Sequence, residues 1–292
     1  MSFNRKTKDY HIHYYLDACA RAEMTFPAIE VACRKIGLDE IAVLKHYSST
    51  LPNGKDDWVY WHRIKEDDWN RYLKEYSEYK PEKLKIRSGV ETELKNESGD
   101  INIPASEQEK IDMCALSVHY MIDLDGFDMD FYLYPNLAAC PGFDNIYGRE
   151  QRQKWIDKVN DAGPERLITG LANGYINAIR RFPKIKTLAH MADGMLPLRT
   201  YLCDVDSLGF DKCVELLEPL MKTAAEAGVL WELYGEDVVN EKVLVRAGEL
   251  GVKFCATGDA HMISGGWGPI DGREKAERLI DRLGLSRGVI EF

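Results

Sequence analysis

No uninterrupted apolar run in this 292-residue chain approaches the roughly 20 residues that a membrane-spanning helix requires. The opening residues, MSFNRKTKDYHIH, lack the apolar stretch and small-residue cleavage site of a secretory signal, so the expected location is cytoplasmic. Seven cysteines, at Cys19, Cys33, Cys114, Cys140, Cys203, Cys213 and Cys255, form an odd set without a C-x-x-C pair. That argues against a disulfide framework or a zinc knuckle and leaves most of them as reduced core residues. A dense stripe of lysine and arginine is missing too. With 38 basic against 48 acidic side chains the formal charge is −10, which repels a polyanion and points to a small substrate, not nucleic acid. Internal repeats, low-complexity tracts and interdomain linkers are also absent. A length of 292 residues allows one large α/β barrel or two smaller domains, the hydrophobic 45% of residues is ample for a core, and the missing linker favours a single domain over residues 1–292.

What the chain does have is a rhythm of strand and helix. Tyr10–Tyr14 reads as a first strand, Phe26–Ile36 as a helix closed by Gly37, and Glu40–Leu44 as a second strand running out at Lys45 and His46. A helix over Trp69–Tyr79 precedes an alternating, β-branched segment at Leu84–Leu94. Short apolar strands follow at Met113–Val118, Ile185–Ala189, Val229–Leu233 and Val252–Ala256, with helical spacing at Arg166–Arg181, Asp211–Ala227 and Val238–Leu250. Alternation of this kind predicts an α/β fold with a parallel sheet. Ligand-type residues where nearly every strand ends predict a closed or nearly closed barrel carrying its site on that face. One interval breaks the rhythm: from Asp123 to about residue 148 the chain is rich in aromatics and proline without a clear period, and reads as an insertion.

Six of the seven histidines stand where a predicted strand gives way to a loop. In a strand, side chains two apart point the same way, so His11 with His13, and Asp259 with His261, can each offer two ligands to one point. Together with Asp17, His46, Glu91, His119 and His190 they make a set of imidazoles and carboxylates without thiolate. Such a set suits Mn, Fe or Zn and fits poorly with an all-oxygen Mg or Ca cage. The set is too large for one ion. Glu91 is placed to bridge two, and bridged ions share a hydroxide that can attack in line.

These residues carry a family resemblance. DYHIH at 9–13, GLDEIAVLKH at 37–46, GVE at 89–91, LSVH at 116–119, LAH at 188–190 and GDAH at 258–261 occur in an order that resembles the PHP (polymerase and histidinol phosphatase) metallohydrolases, histidinol phosphatases among them. The resemblance implies a distorted (β/α)7, TIM-like barrel with two or three divalent metal ions at the C-terminal ends of its strands, hydrolysing phosphate esters. It implies a first ion at His11, His13, Glu91 and Asp259, a second at Glu91, His119 and His190, and a third at His46 and His261. Asp17 matches an additional ligand, and Glu91, Asp259 and His261 are the residues expected to carry the chemistry. Where the histidinol-phosphatase branch has a further histidine, this chain has Cys19, and where an acid usually precedes the second-strand histidine it has Lys45.

Lys45 has two open readings, an outward lysine or a cation for substrate phosphate. Arg21, Arg149 and Arg199 are the other candidate phosphate binders, since a guanidinium matches phosphate with a fork of N–H groups. Asp9 is expected to orient the His11 ring, Glu232 matches another acidic position of the family, and His62 belongs to no motif. The expected activity is hydrolysis of a small phosphorylated metabolite, a monoester or a cyclic diester. Histidinol phosphate specifically, a polymerase-associated module and a silent metal-binding scaffold are the alternatives.

Overall fold

A computed structural model of the chain describes residues 7–47, 68–119, 122–124, 149–191, 205–235, 241–266 and 268–292. Seven strands alternate with helices: β1 Lys8–His13, α1 Phe26–Lys35, β2 Glu40–His46, α2 Asp68–Glu78, β3 Lys85–Glu93, α3 Ala105–Gln108 and β4 Met113–Ser117 come first. Then follow α4 Arg149–Arg181, β5 Ile185–Leu188, α5 Gly209–Ala227, β6 Leu230–Tyr234, α6 Glu241–Glu249, β7 Phe254–Thr257 and α7 Arg273–Leu283. The strands lie in sequence order, and each adjacent pair is parallel. A bridge between Ile12 and Ala260 brings the two ends of the sheet together, with His13 N–H donating to the Ala260 carbonyl at 2.8 Å. The fold is therefore a nearly closed α/β barrel of the TIM-like kind expected from the sequence. Among the described residues no helix is long and apolar enough to cross a membrane.

The helices form because their apolar residues recur at helical spacing. On α1 the buried positions are Phe26, Ile29, Glu30 and Cys33, one stripe of a 3.6-residue period. Pro27 sits in its first turn, where the missing N–H costs nothing, and Arg34 and Lys35 close the last turn. The long α4 is two helices in one, broken at Gly163, whose φ of 76° suits glycine, with Pro164 next in the chain. The short α3, which the sequence pattern did not reveal, spans a single turn. Residues 125–148, the greater part of the expected aromatic insertion, lie outside the described residues.

Two apolar layers hold the barrel. Outward-facing residues such as Ile41, Val43, Val90, Leu116, Trp231 and Phe254 pack against the helices. Inside, Tyr10, Ala42, Leu44, Met113, Ala115, Ala189, Leu230, Cys255 and Ile290 form a second cluster. Ile290 comes from the C-terminal tail, and its N–H reaches the Tyr10 hydroxyl at 3.3 Å, so the lower end of the barrel is plugged. The polar residues are left to the upper end.

Candidate metal centre

The site begins with a register fault in β1. Asp9 pairs with Ile41, but Ile12 pairs with Val43, so Tyr10 and His11 together oppose the single residue Ala42. Such a bulge lets two successive residues point the same way. Tyr10 therefore enters the inner apolar cluster while His11, and His13 two residues later, also face inward. On β2 and β3 the period of two needs no correction: Leu44 pairs with Gly89 and His46 with Glu91, placing His46, Glu91 and Glu93 on the inner face above the apolar cluster. His119, His190, Asp259 and His261 lie just beyond the ends of β4, β5 and β7.

The expected ligands meet at Glu91. Its Oε2 is 3.3 Å from His11 Nε2, 3.3 Å from His13 Nε2 and 3.4 Å from His46 Nδ1. Its other oxygen, Oε1, is 3.0 Å from His190 Nε2 and 3.4 Å from His119 Nε2. Asp259 Oδ1 stands 3.4 Å from His11 Nε2 and 3.2 Å from His13 Nε2, and the two imidazole nitrogens are 3.1 Å apart. Five of the six pairings among His11, His13, Glu91 and Asp259 thus span 3.1–3.4 Å. A tetrahedron of donors about 2.0–2.1 Å from a central zinc has edges of roughly 3.3 Å. These residues fit a cation.

Protons strengthen that argument. His11 Nδ1 lies 2.7 Å from Glu232, His13 Nδ1 lies 3.0 Å from Asp17, and His119 Nδ1 contacts Glu93. An ionised carboxylate only accepts, so each Nδ1 carries a hydrogen, and each ring in its neutral form turns its Nε2 lone pair toward Glu91. Two such lone pairs 3.1 Å apart repel unless a cation or a proton lies between them. Asp259 Oδ1 is buried and makes no hydrogen bond, which is costly without a cation. His190 at φ 36° and Asp259 at φ 42° are the non-glycine residues with positive φ among the described residues, and strain of this kind concentrates at functional sites.

The ionisation of the cluster follows its carboxylates. Burial pulls the His11 ring down, but Glu232, Glu91 and Asp259 overcome it and hold the ring well above its usual value. His13 is likewise depressed by burial and raised further by Asp17, Asp259 and Glu91. Burial would raise Glu91, yet His46, His11 and His119 keep it well below the usual carboxylate range. Asp259 follows the same balance, its burial outweighed by His261, His11 and His13. His261 differs: burial, then His13, bring it to about 4. Its Nδ1 donates to the Asp259 carbonyl at 2.6 Å, so the proton is on Nδ1 of a neutral ring.

Other expected residues take less anticipated places. Both oxygens of Asp17 are engaged, Oδ1 with Lys45 Nζ at 2.6 Å and the His46 N–H at 3.1 Å, Oδ2 with His13 Nδ1 at 3.0 Å. Lys45 faces outward from the barrel but is not open to solvent: it is 1% exposed, and its ammonium also reaches the His46 carbonyl at 3.2 Å. The reason lies in the strand period. Lys45 points to the outer layer, where Asp17 folds over it. Asp9 does not touch the His11 ring, correcting that expectation. It pairs in the outward register before the bulge and accepts from the His11 N–H, the Thr257 hydroxyl and the Gly258 N–H at 3.0, 3.0 and 3.1 Å. Burial raises Asp9 to about 6 against the opposing pull of Arg273 and these hydrogen bonds. Glu232 is the group at the His11 ring.

Glu93 was not anticipated. Its signal was present in GVETE, where Glu93 follows Glu91 by two residues and shares its strand face. Arg21 is exposed at the mouth, with its N–H on the His261 carbonyl at 2.8 Å. The side chain of Arg149, together with Arg199 and His62, lies outside the described residues.

Two solved structures share this architecture. One is a histidinol phosphate phosphatase from Lactococcus lactis subsp. lactis Il1403, complexed with zinc, L-histidinol and phosphate, similar at 15% identity and a TM-score of 0.56 over 97% of this chain and 95% of that one. The other, a Listeria monocytogenes protein assigned as a histidinol phosphatase, is 14% identical with a TM-score of 0.58 over 87% of this chain and 95% of its own. At these identities the likeness establishes the fold. No family model matches the chain, and no curated protein does.

Proposed function

We propose that this protein is a metal-dependent phosphoric ester hydrolase of the PHP type, acting on a small phosphorylated metabolite in the cytoplasm. One observation carries the reading: Glu91 turns one oxygen to His11, His13 and His46 and the other to His119 and His190. A carboxylate divided in this way suits two cations side by side. Two or three divalent ions, Mn, Fe or Zn, match the donors. His11, His13, Glu91 and Asp259 would hold the first, Glu91, His119 and His190 the second, and His46 and His261 the third. When bound, such ions supply a water of lowered pKa and positive charge for the phosphate oxygens.

The chain's own residues contribute placement. Glu232, Asp17 and Glu93 pin three rings through Nδ1, so their lone pairs are aimed before substrate arrives. His261 keeps its proton on Nδ1, leaving Nε2 as a lone-pair donor that could ligate an ion or accept a proton. Arg21 is the candidate cation for phosphate among the described residues, with Arg149 and Arg199 as further candidates. Lys45 serves a different purpose, neutralising Asp17 while that carboxylate holds His13. Because the Lactococcus lactis phosphatase was solved with L-histidinol and phosphate, histidinol phosphate is the first substrate to assay, beside sugar phosphates, nucleotides and cyclic diesters.

Metal analysis with a phosphate-release panel tests the proposal. The wild-type chain is expected to retain two or three equivalents of Mn, Fe or Zn and to hydrolyse at least one ester. Glu91→Gln should lower turnover at least roughly 100-fold with the fold intact. A metal-loaded protein inert on the whole panel, or a Glu91→Gln variant at the wild-type rate, would sink the reading.

A further inference from the structure

Cys19 has no part in the site as described so far, yet its sulfur lies among ligand atoms. One atom each from His13, Asp17, Cys19 and His46 falls within 4.8 Å of every other. The loop holding the thiol is tied on both sides: Ala20 N–H donates to the Asp17 carbonyl at 3.1 Å, Arg21 N–H to the His261 carbonyl at 2.8 Å, and Tyr15 N–H to the Met24 carbonyl at 3.0 Å. The sulfur is thus carried on a short, hydrogen-bonded loop and not on a loose excursion.

Within the group, the partners are unequally engaged. Asp17 gives one oxygen to a buried ammonium and the other to the His13 ring. His13 turns Nε2 toward Glu91 and Asp259. A cation at this corner therefore finds Asp17 already paired with Lys45 and with the His13 ring, and the sulfur is the donor of the group that it meets beside His46. We propose that Cys19 is a thiolate that ligates together with His46 and makes this corner of the centre selective for thiophilic ions such as Zn(II) or Co(II) over Mn(II) or Mg(II). The proposal rests on the metal-centre reading above and adds sulfur to a site otherwise built of nitrogen and oxygen. Ligation balances simply: the thiol loses its proton to solvent as the sulfur–metal bond forms, with no change of oxidation state.

Cobalt substitution separates the two readings. The full-length protein, stripped with chelator and reloaded with Co(II), is expected to show visible ligand-field bands together with a near-ultraviolet sulfur-to-cobalt charge-transfer band. Cys19→Ser should lose the charge-transfer band while keeping the visible bands from the nitrogen and oxygen sites. Visible bands without a charge-transfer band in the wild type, or a band unchanged in Cys19→Ser, would overturn the thiolate and leave the phosphoesterase reading standing. Failure to bind cobalt at all would overturn both. Should Cys19→Ser not fold, alkylation of the wild-type chain followed by peptide mass spectrometry decides the matter: Zn(II) is expected to protect Cys19, and equal labelling with and without zinc would refute its ligation.

Discussion

Lys45 and Asp17 make an ion pair at 2.6 Å with both side chains at most 1% exposed. Buried pairs of this kind gain little over a well-packed apolar pair, but removing one partner leaves an uncompensated charge. Lys45→Met should therefore lower stability by about 3–5 kcal/mol in denaturant unfolding at fixed metal content. The double variant Lys45→Met, Asp17→Asn should recover a substantial part of that loss, because no lone carboxylate remains. A neutral single variant would mean that Asp17 is not an isolated anion once the ammonium is gone. At this scale the ligands were legible in the sequence as pairs two residues apart, whereas their supports were not. Glu93 was hidden in the same alternation that revealed Glu91. Asp9 stands two residues before His11, so alternation alone puts both on one face, and the bulge that turns Asp9 outward is announced by no spacing rule.

Glu30 shows how one helix organises the connection beside it. It occupies a core-facing position of α1 and accepts the Glu82 and Lys83 N–H groups, each at 3.0 Å, the Leu84 N–H at 3.4 Å and the Tyr79 hydroxyl at 2.6 Å. It thereby fixes the entry into β3, the strand that carries Glu91. Burial alone would raise its pKa, but these hydrogen bonds leave it below the usual value. A carboxylate whose folded pKa is depressed stabilises the protein fully above its unfolded pKa of about 4.3, and that contribution disappears as pH falls through the folded value. Glu30→Gln should consequently cost about 2 kcal/mol near neutrality. The gap from wild type should narrow in unfolding curves taken at progressively lower pH below about 4. A gap independent of pH would assign the effect to packing, not charge. Elements of ordinary length were readable from period and punctuation, as with α1 and β2. The one-turn α3 was not, since Ala105–Gln108 is too short to display a helical period.

At the scale of the whole barrel, every strand sends a group to one mouth: His11 and His13 from β1, His46 from β2, Glu91 and Glu93 from β3, Glu232 from β6, and His119, His190 and Asp259 from just past β4, β5 and β7. Cations held there would join strands that are otherwise linked only to their neighbours. The closure between β1 and β7 depends on few backbone hydrogen bonds, among them His13 N–H to Ala260 at 2.8 Å and Ala260 N–H to His11 at 3.2 Å. Both flank candidate ligands. Binding that requires the assembled mouth stabilises the folded state by about 2.7 kcal/mol per site at a hundredfold excess over Kd. For a chain of this size each kcal/mol corresponds to roughly 2 °C in Tm. Chelator-treated protein should therefore melt about 5–15 °C below the Zn- or Mn-loaded form, and back-titration should restore the difference. Glu91→Gln should lose more of that shift than any single histidine variant, since its two oxygens face separate groups of imidazoles. Identical melting with and without metal would show that the mouth is assembled by the polypeptide alone, and that its carboxylates and rings tolerate their crowding without a cation between them.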